Sequence, residues 1–318
     1  SNLKGFEIGI AYMKGELQLP AAAPEKNVRA AKPSAETLIA DVASTYPGEA
    51  QAIVSEGVKR LVDYQNPAYA KLYLDRLAGV LAIDRDRGGE RNNWALTVET
   101  GRYLALMMSY EDIIRVGDLK SRRSRMNRVR TEVMAKNSEP VYVTEFLKPG
   151  FDEFTSIMPV WMGRPIMNWA RGNNWAKNYN FSMRVKTHTI FGFLRLWGLS
   201  KMRFYRPKTY RYSEEQAAIE GWLATVKEAA SRHYQLAVEI AELANLRKGY
   251  SDTHKRGLHN FRQVMDAVAI PCSKADKDPA WGADAVKKLR IAALADPEGD
   301  ALDTAMAELV PPVQAAAE

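Results

Sequence analysis

The chain has 318 residues, a net charge of +7 and 46% hydrophobic residues, with Cys272 as the single cysteine. This composition is typical of a chain that folds around a hydrophobic core. The sequence contains no run of 18 apolar residues, so no membrane span is predicted. One cysteine excludes an intramolecular disulfide, a CxxC redox pair and a zinc cage made of thiolates. We therefore expect a cytoplasmic protein with no membrane partner.

The domain organisation follows from composition along the chain. Residues 1–17 start with neither an initiator methionine nor a signal peptide, and we interpret them as the end of a preceding domain. Residues 18–33 are rich in Pro and Ala and predict a linker. We predict a helical domain over residues 34–295 and an acidic, mobile tail over residues 296–318.

Apolar residues recur at helical spacing through most of the helical domain. Ser34 is predicted to cap the first helix, and Asn66-Pro67 to begin a later one with proline at its first position. Gly88-Gly89 predicts a loop. Residues 140–146 alternate weakly and indicate one short strand, whereas residues 149–180 predict an irregular excursion with short helices.

The second half of the domain begins with a predicted apolar helix over residues 190–199. The longest predicted helix starts at Ser213, where Ser213 to Gln216 fits a capping box, and ends near Gly249. Asp252 is predicted to cap the helix that follows. We therefore predict an all-α fold, a multi-helix array with a Trp/Pro/Gly-rich excursion and at most one short β element.

Positive charge is concentrated in two stretches. Residues 155–213 hold 11 Lys or Arg and no Asp or Glu, and six further cations lie between Lys120 and Arg130. Such a field favours an anionic partner, although a solvated surface explains it equally well. Aromatic residues interleave with these cations, and we favour packing or a subunit interface over nucleic acid for them. They are Trp161, Trp169, Trp175, Phe181, Phe191, Phe193, Trp197, Phe204, Tyr205, Tyr210 and Tyr212.

No familiar catalytic or cofactor motif is present: the sequence lacks GxGxxG, GxxxxGK[ST], HExxH and GxSxG. His254 and His259 are five residues apart and diverge on one helix, so no metal site is predicted. Glu111 and Asp112 also diverge, and we interpret them as helix-start residues or as partners of Arg115. We predict no catalytic residue in this chain.

The most motif-like string is the loop over residues 248–257, which reads as a helix end followed by a helix start. Helix capping does not explain why a phenol, an imidazole and a guanidinium gather there. We predict a candidate functional loop formed by Tyr250, Asp252, His254 and Arg256. The same residues are the best site for an independent small-molecule enzyme, which stays open as an alternative.

Three strings resemble the C-terminal region of indolepyruvate ferredoxin oxidoreductase beta-subunit proteins. Two are Leu61–Ala70 with Tyr73–Leu77, and Met108–Val116. The third is the loop 248–257, which is similar to a GYGDTHxRG signature but has Ser251 where a glycine is expected. The opening Ser1–Gly9 resembles the end of a gamma-type pyruvate-oxidoreductase domain.

This resemblance implies oxidative decarboxylation of an aryl 2-oxoacid, with coenzyme A and ferredoxin as acceptors. The thiamine diphosphate and the iron–sulfur clusters are then expected in the partner subunit, since a cluster needs several cysteines. This chain would be an accessory domain that binds the large catalytic subunit. Ferredoxin or coenzyme A would dock on an anionic-partner patch of Arg203, Arg206, Lys208 and Arg211. The alternative is a basic helical module that binds nucleic acid or an acidic protein.

Overall fold

A computed structural model describes residues 33–136, 138–173, 179, 181–247, 251–274 and 276–309. Contacts divide the chain into Ser1–Pro33 and Ser34–Glu318. The predicted preceding domain over residues 1–17 and nearly all of the predicted linker over residues 18–33 lie outside the described residues.

Four helices open the second unit: α1 (Ala35–Thr45), α2 (Gly48–Tyr64), α3 (Pro67–Asp86) and α4 (Ala95–Met108). The two local caps predicted from sequence are confirmed. The Ser34 side chain accepts a hydrogen bond from the Thr37 amide in a capping box. The Asn66 side chain accepts one from the Tyr69 amide at 2.9 Å, and Pro67 is the first residue of α3.

The loop between α3 and α4 is held by a buried carboxylate. Asn93 and Trp94 both have positive φ angles there. Trp94 directly precedes α4, and its side chain makes no capping hydrogen bond. Asp84 in α3 caps α4 instead, because its Oδ2 accepts hydrogen bonds from the Thr97 amide at 2.8 Å and from the Thr97 hydroxyl at 2.6 Å. The Tyr234 hydroxyl donates to the second oxygen of Asp84. A carboxylate at a helix N-terminus stabilises the orphan amides and the helix dipole.

The middle segment, defined as residues 109–209, contains short elements. These are α5 (Ile113–Ser121), α6 (Arg123–Glu132), β1 (Thr144–Leu147), α7 (Phe151–Ser156), α8 (Val160–Arg171), β2 (Met183–Lys186) and α9 (Ile190–Lys201). β1 pairs antiparallel with β2, with Thr144 opposite Lys186. β1 overlaps the short β element predicted over residues 140–146, and β2 is its partner in one small two-stranded sheet. An isolated strand leaves its backbone groups unpaired, so the first strand needed a second.

The remaining helices are α10 (Tyr210–Arg232), α11 (Tyr234–Leu243), α12 (Ser251–Val264), α13 (Ile270–Ser273), α14 (Pro279–Ala295) and α15 (Asp300–Leu309). A π-helical turn joins α12 to α13. The predicted start at Ser213 is wrong, because Thr209, four residues earlier, caps the helix by accepting a hydrogen bond from the Tyr212 amide. The predicted long helix also breaks at His233, whose ring Nδ1 accepts from the Leu236 amide and caps α11.

The predicted mobile tail is wrong over its first half. Asp296 accepts hydrogen bonds from the amides of Glu298 and Ala301, and these contacts begin α15. Leu302 in α15 is fully buried and belongs to the hydrophobic core. Burial of the apolar Leu302 side chain stabilises α15 on the core, although the acidic composition of this segment led to the prediction of a mobile tail. Residues 310–318 lie outside the described residues.

The hydrophobic core is built by the two ends of the described domain. Its buried members come from residues 38–108 and 219–302, and among the described residues none comes from the middle segment. Trp222 of α10 is fully buried in this core, and its indole N–H donates to the Ile240 carbonyl of α11 at 3.0 Å. The fold is all-α, as predicted, with the middle segment attached outside the core.

Candidate functional site

The candidate loop over residues 248–257 is only partly described. Tyr250 and the side chains of Asp252 and His254 lie outside the described residues. Arg256 is described: its guanidinium lies 3.4 Å from the Glu298 carboxylate, on the loop before α15. This contact links α12 to α15.

Arg206 is part of the interior, so its prediction as a member of an exposed anionic-partner patch is wrong. Its side chain is 1% exposed. Its Nε donates to Asp112 at 2.7 Å and its Nη2 donates to the other Asp112 oxygen at 3.0 Å. Its Nη1 donates to the Tyr64 carbonyl and to Gln65 Oε1. Burial alone would lower the pKa of Arg206, but the hydrogen bonds to Asp112, together with the electrostatic attraction of Asp112 and of the Tyr64 and Tyr110 phenols, outweigh burial and raise that pKa.

The other three residues of the predicted patch lie in separate environments. Arg203 donates to the Gln65 carbonyl at 2.5 Å and to the Val62 carbonyl at 2.7 Å, so it binds the C-terminus of α2. Arg211 pairs with Glu215 within α10 at 2.6 Å. Lys208 is exposed on the turn before α10. The four side chains therefore do not form one patch.

Two buried phenols surround the Arg206–Asp112 pair. The Arg206 guanidinium lies 4.2 Å from the ring centre of Tyr64, and the rings of Tyr64 and Tyr110 meet edge-on at 5.8 Å. Burial raises the pKa of both phenols well above its usual value. They therefore stay neutral, and Asp112 is the carboxylate that balances Arg206. Asp112 also caps α5 through the Arg115 amide, which confirms its interpretation as a helix-start residue.

Cations fasten the middle segment to the C-terminal end of α2. Besides Arg203 and Arg206, Arg115 and Arg122 bind Asp63 at 2.9 and 3.0 Å. Burial alone would raise the pKa of Asp63, but the hydrogen bonds and the positive charges of Arg122 and Arg115 together outweigh burial and lower that pKa. Cations are favoured at this end because helix carbonyls and the helix dipole are negative there.

The cation cluster between Lys120 and Arg130 is also bound largely within the chain. Lys120 and Arg125 both pair with the buried Glu145 of β1, and Arg122 pairs with Asp118. Arg130 donates to the carbonyls of Lys136 and Glu139. These bonds hold the two-stranded sheet against α5 and α6, so much of this cluster has a structural role.

Helix α9 exposes apolar residues on most of its surface. Its narrow inner seam packs on β2 at Gly192 and on α5 at Leu196 and the half-buried Leu199. By contrast, Ile190 is 76% exposed and Phe191 is 80% exposed. A helix that is apolar all round is normally buried on all sides. The spacing of these aromatics in the sequence is compatible with burial inside the chain, so it does not indicate which of them are exposed.

Other large apolar side chains of the middle segment are also exposed. Trp161 and Trp169 lie on α8, Phe146 lies on β1, and Phe204 follows α9. Of the exposed large hydrophobic residues among the described ones, only Ile291 and Leu294 lie outside residues 133–204. Single exposed apolar residues are ordinary, whereas a large contiguous patch of them is typical of an interaction site.

The described part of the chain offers little that resembles an enclosed metal-binding or ligand-binding site. No group of three His, Cys, Asp or Glu is arranged there to hold a metal ion. A groove of about 400 Å³ lies between α2 and α4, lined by Arg60, Asp63 and Arg102 among others, and it is open to solvent. Among the described helices, none combines the length and apolar character that a membrane crossing requires.

These features define an all-α protein whose middle segment presents an aromatic, basic surface. The chain belongs to the DUF6537 family, described as a family of unknown function, whose model matches residues 50–267. The match runs from α2 to the π-helical turn and includes the whole middle segment. No curated protein and no solved structure matches the chain.

Proposed function

We propose that this chain is an accessory domain that assembles an indolepyruvate, or aryl 2-oxoacid, ferredoxin oxidoreductase. It binds the large catalytic subunit through the exposed surface of the middle segment. In this proposal the catalytic subunit holds the thiamine diphosphate and the iron–sulfur clusters. It performs the oxidative decarboxylation that depends on coenzyme A and ferredoxin.

The observation that carries the proposal is the exposed apolar surface. Eight exposed Phe and Trp side chains of the middle segment offer roughly 1,000 Å², if a whole aromatic side chain offers ~200 Å². Each partner in a stable protein complex contributes about 800 Å². Aromatic residues together with arginine are enriched at such interfaces.

The sequence resemblance supports the same proposal. The string Leu61–Ala70 contains Tyr64 and Gln65, which accept hydrogen bonds from Arg206. The string Met108–Val116 contains Asp112, which completes the buried pair with Arg206. Two of the three strings that resemble the oxidoreductase family therefore contain residues that attach the middle segment to the core.

Sedimentation velocity tests the proposal directly. The chain is mixed with the large thiamine diphosphate-dependent subunit of an indolepyruvate ferredoxin oxidoreductase at increasing concentration. We expect a stoichiometric complex at micromolar concentration, because the apolar area is of the size that supports stable complexes. Two separate boundaries up to high micromolar concentration would overturn the proposal.

Nucleic acid binding is the second candidate, because Arg164, Arg195 and Lys201 are exposed in the same segment as the aromatics. Nucleic acid binding is the weaker candidate, because most cations of α5 and α6 already pair with acidic or carbonyl groups of the chain itself. Labelled single-stranded and double-stranded oligonucleotides titrated at low salt distinguish the two, since phosphate contacts are strongest there. Tight binding that falls steeply with salt would favour nucleic acid.

A further inference from the structure

Helix α9 carries a second apolar stripe on the side opposite its inner seam. Ile190 starts this outer stripe, and the other members follow it at i+4, i+7, i+8 and i+11, which places them along one face. They are Leu194, Trp197, Gly198 and Lys201. All five residues are exposed, and the Lys201 ammonium lies 5.1 Å from the ring centre of Trp197.

Gly198 has no role in packing within the described part of the chain. A Cβ placed on Gly198 meets nothing within 4 Å. A Cβ on Gly192 would lie 1.9 Å from the Lys186 carbonyl oxygen, and one on Gly117 would lie 2.9 Å from the Leu196 carbonyl oxygen. Those two glycines are needed where α9 meets β2 and α5. Gly198 costs the helix about 1 kcal/mol relative to alanine and makes no such packing contact. Because Gly198 lies within the outer stripe, its missing side chain leaves room there for another backbone to approach closely.

Charge limits what can cover the outer stripe. Arg195 and Lys201 lie on α9, Arg184 and Lys186 lie on the adjoining β2, and residues 155–213 contain no acid. A second copy would bring equal charges together, which opposes association. A partner surface with an apolar floor and carboxylates at its rim matches both the stripe and the cations.

We infer that the outer stripe of α9 is the element that docks on the catalytic subunit, with Gly198 at the closest approach of the two backbones. The inference rests on the proposed function. Its partner surface is an apolar groove rimmed by Asp or Glu. In the complex, α9 lies between α5 on one side and the groove on the other.

The test compares two tryptophan substitutions at exposed helical glycines. Gly198→Trp fills the outer stripe, and Gly221→Trp in α10 is the matched control, because a Cβ on Gly221 also meets nothing within 4 Å. Binding of each variant to the large subunit is measured by calorimetry. We expect Gly198→Trp to raise Kd at least about tenfold, as loss of a central contact does, and Gly221→Trp to leave it unchanged.

A second substitution, Leu194→Glu, repels the acidic rim and is expected to weaken binding by a similar factor, with its folding checked by circular dichroism. If wild type binds and Gly198→Trp and Leu194→Glu bind equally well, the inference fails and the proposed function stands. If wild type forms no complex, both fail. Vesicles of phosphatidylserine and phosphatidylcholine form a further arm. Wild type binding to them but not to the subunit would assign the stripe to a membrane surface and overturn the inference.

Discussion

At the scale of single residues, Arg206 shows how burial changes the meaning of a charge. It belongs to a run of cations that predicts a surface patch, yet it is enclosed by Asp112, Gln65 and Tyr64. A buried guanidinium is tolerated only when carboxylate and carbonyl oxygens satisfy its donors. Its role is to attach the middle segment to the end of α2.

Removing either member of this pair alone should destabilise the protein strongly. Arg206→Met and Asp112→Asn each leave the other charge buried and unpaired, which costs about 3–5 kcal/mol. The double variant should lose clearly less than the sum of the two, because it leaves neither charge buried without a partner. Urea unfolding of the four proteins measures the coupling, and additive losses would contradict this role. Asp112→Asn keeps an oxygen to accept from the Arg115 amide, so the cap of α5 is retained.

At the scale of elements, α9 was predicted as a helix from its sequence, and that prediction is confirmed. The periodicity of its sequence does not indicate which faces of the helix contact other elements. The structure shows that α5 and β2 occupy only the seam at Gly192 and Leu196. Glycine at that seam allows the backbones to approach, since the Lys186 carbonyl takes the place of a side chain.

The two glycines of α9 should therefore respond in opposite directions to alanine. Gly192→Ala forces a Cβ onto the Lys186 carbonyl and should cost about 1–3 kcal/mol, as overpacking does. Gly198→Ala meets open space and should stabilise the helix by up to about 1 kcal/mol. Thermal unfolding measures both changes. Equal effects of the two substitutions would show that the seam is not tightly packed.

At the scale of the whole molecule, the core and the middle segment are held by different forces. Apolar burial holds α2, α3, α4, α10, α11 and α14 together, whereas ion pairs and helix-end contacts hold the middle segment to α2. Apart from the buried Arg206–Asp112 pair, these ion pairs are partly exposed and contribute little stability, and segments with few buried apolar contacts open more readily.

Native-state hydrogen exchange should resolve these two parts. Amides of α9 and β2 should exchange faster than those of α4 and α11 in the isolated chain. Addition of the large catalytic subunit should slow exchange in α9 and leave α11 unchanged, because only α9 is expected to be covered. Uniform exchange in the isolated chain would argue against separate parts, and unchanged exchange in α9 on addition would argue against docking there.

Local signals in the sequence determined the all-α class and several helix ends. The caps at Ser34 and Asn66 involve neighbours within three residues, so local pattern was enough to predict them. Sequence also located the aromatic, basic stretch that contains the candidate surface. Tertiary structure alone decided that Asp84 caps α4, that Leu302 anchors α15, and that Arg206 is buried while Phe191 is exposed. These outcomes depend on partners far apart in the chain, and burial is a property of the assembled fold.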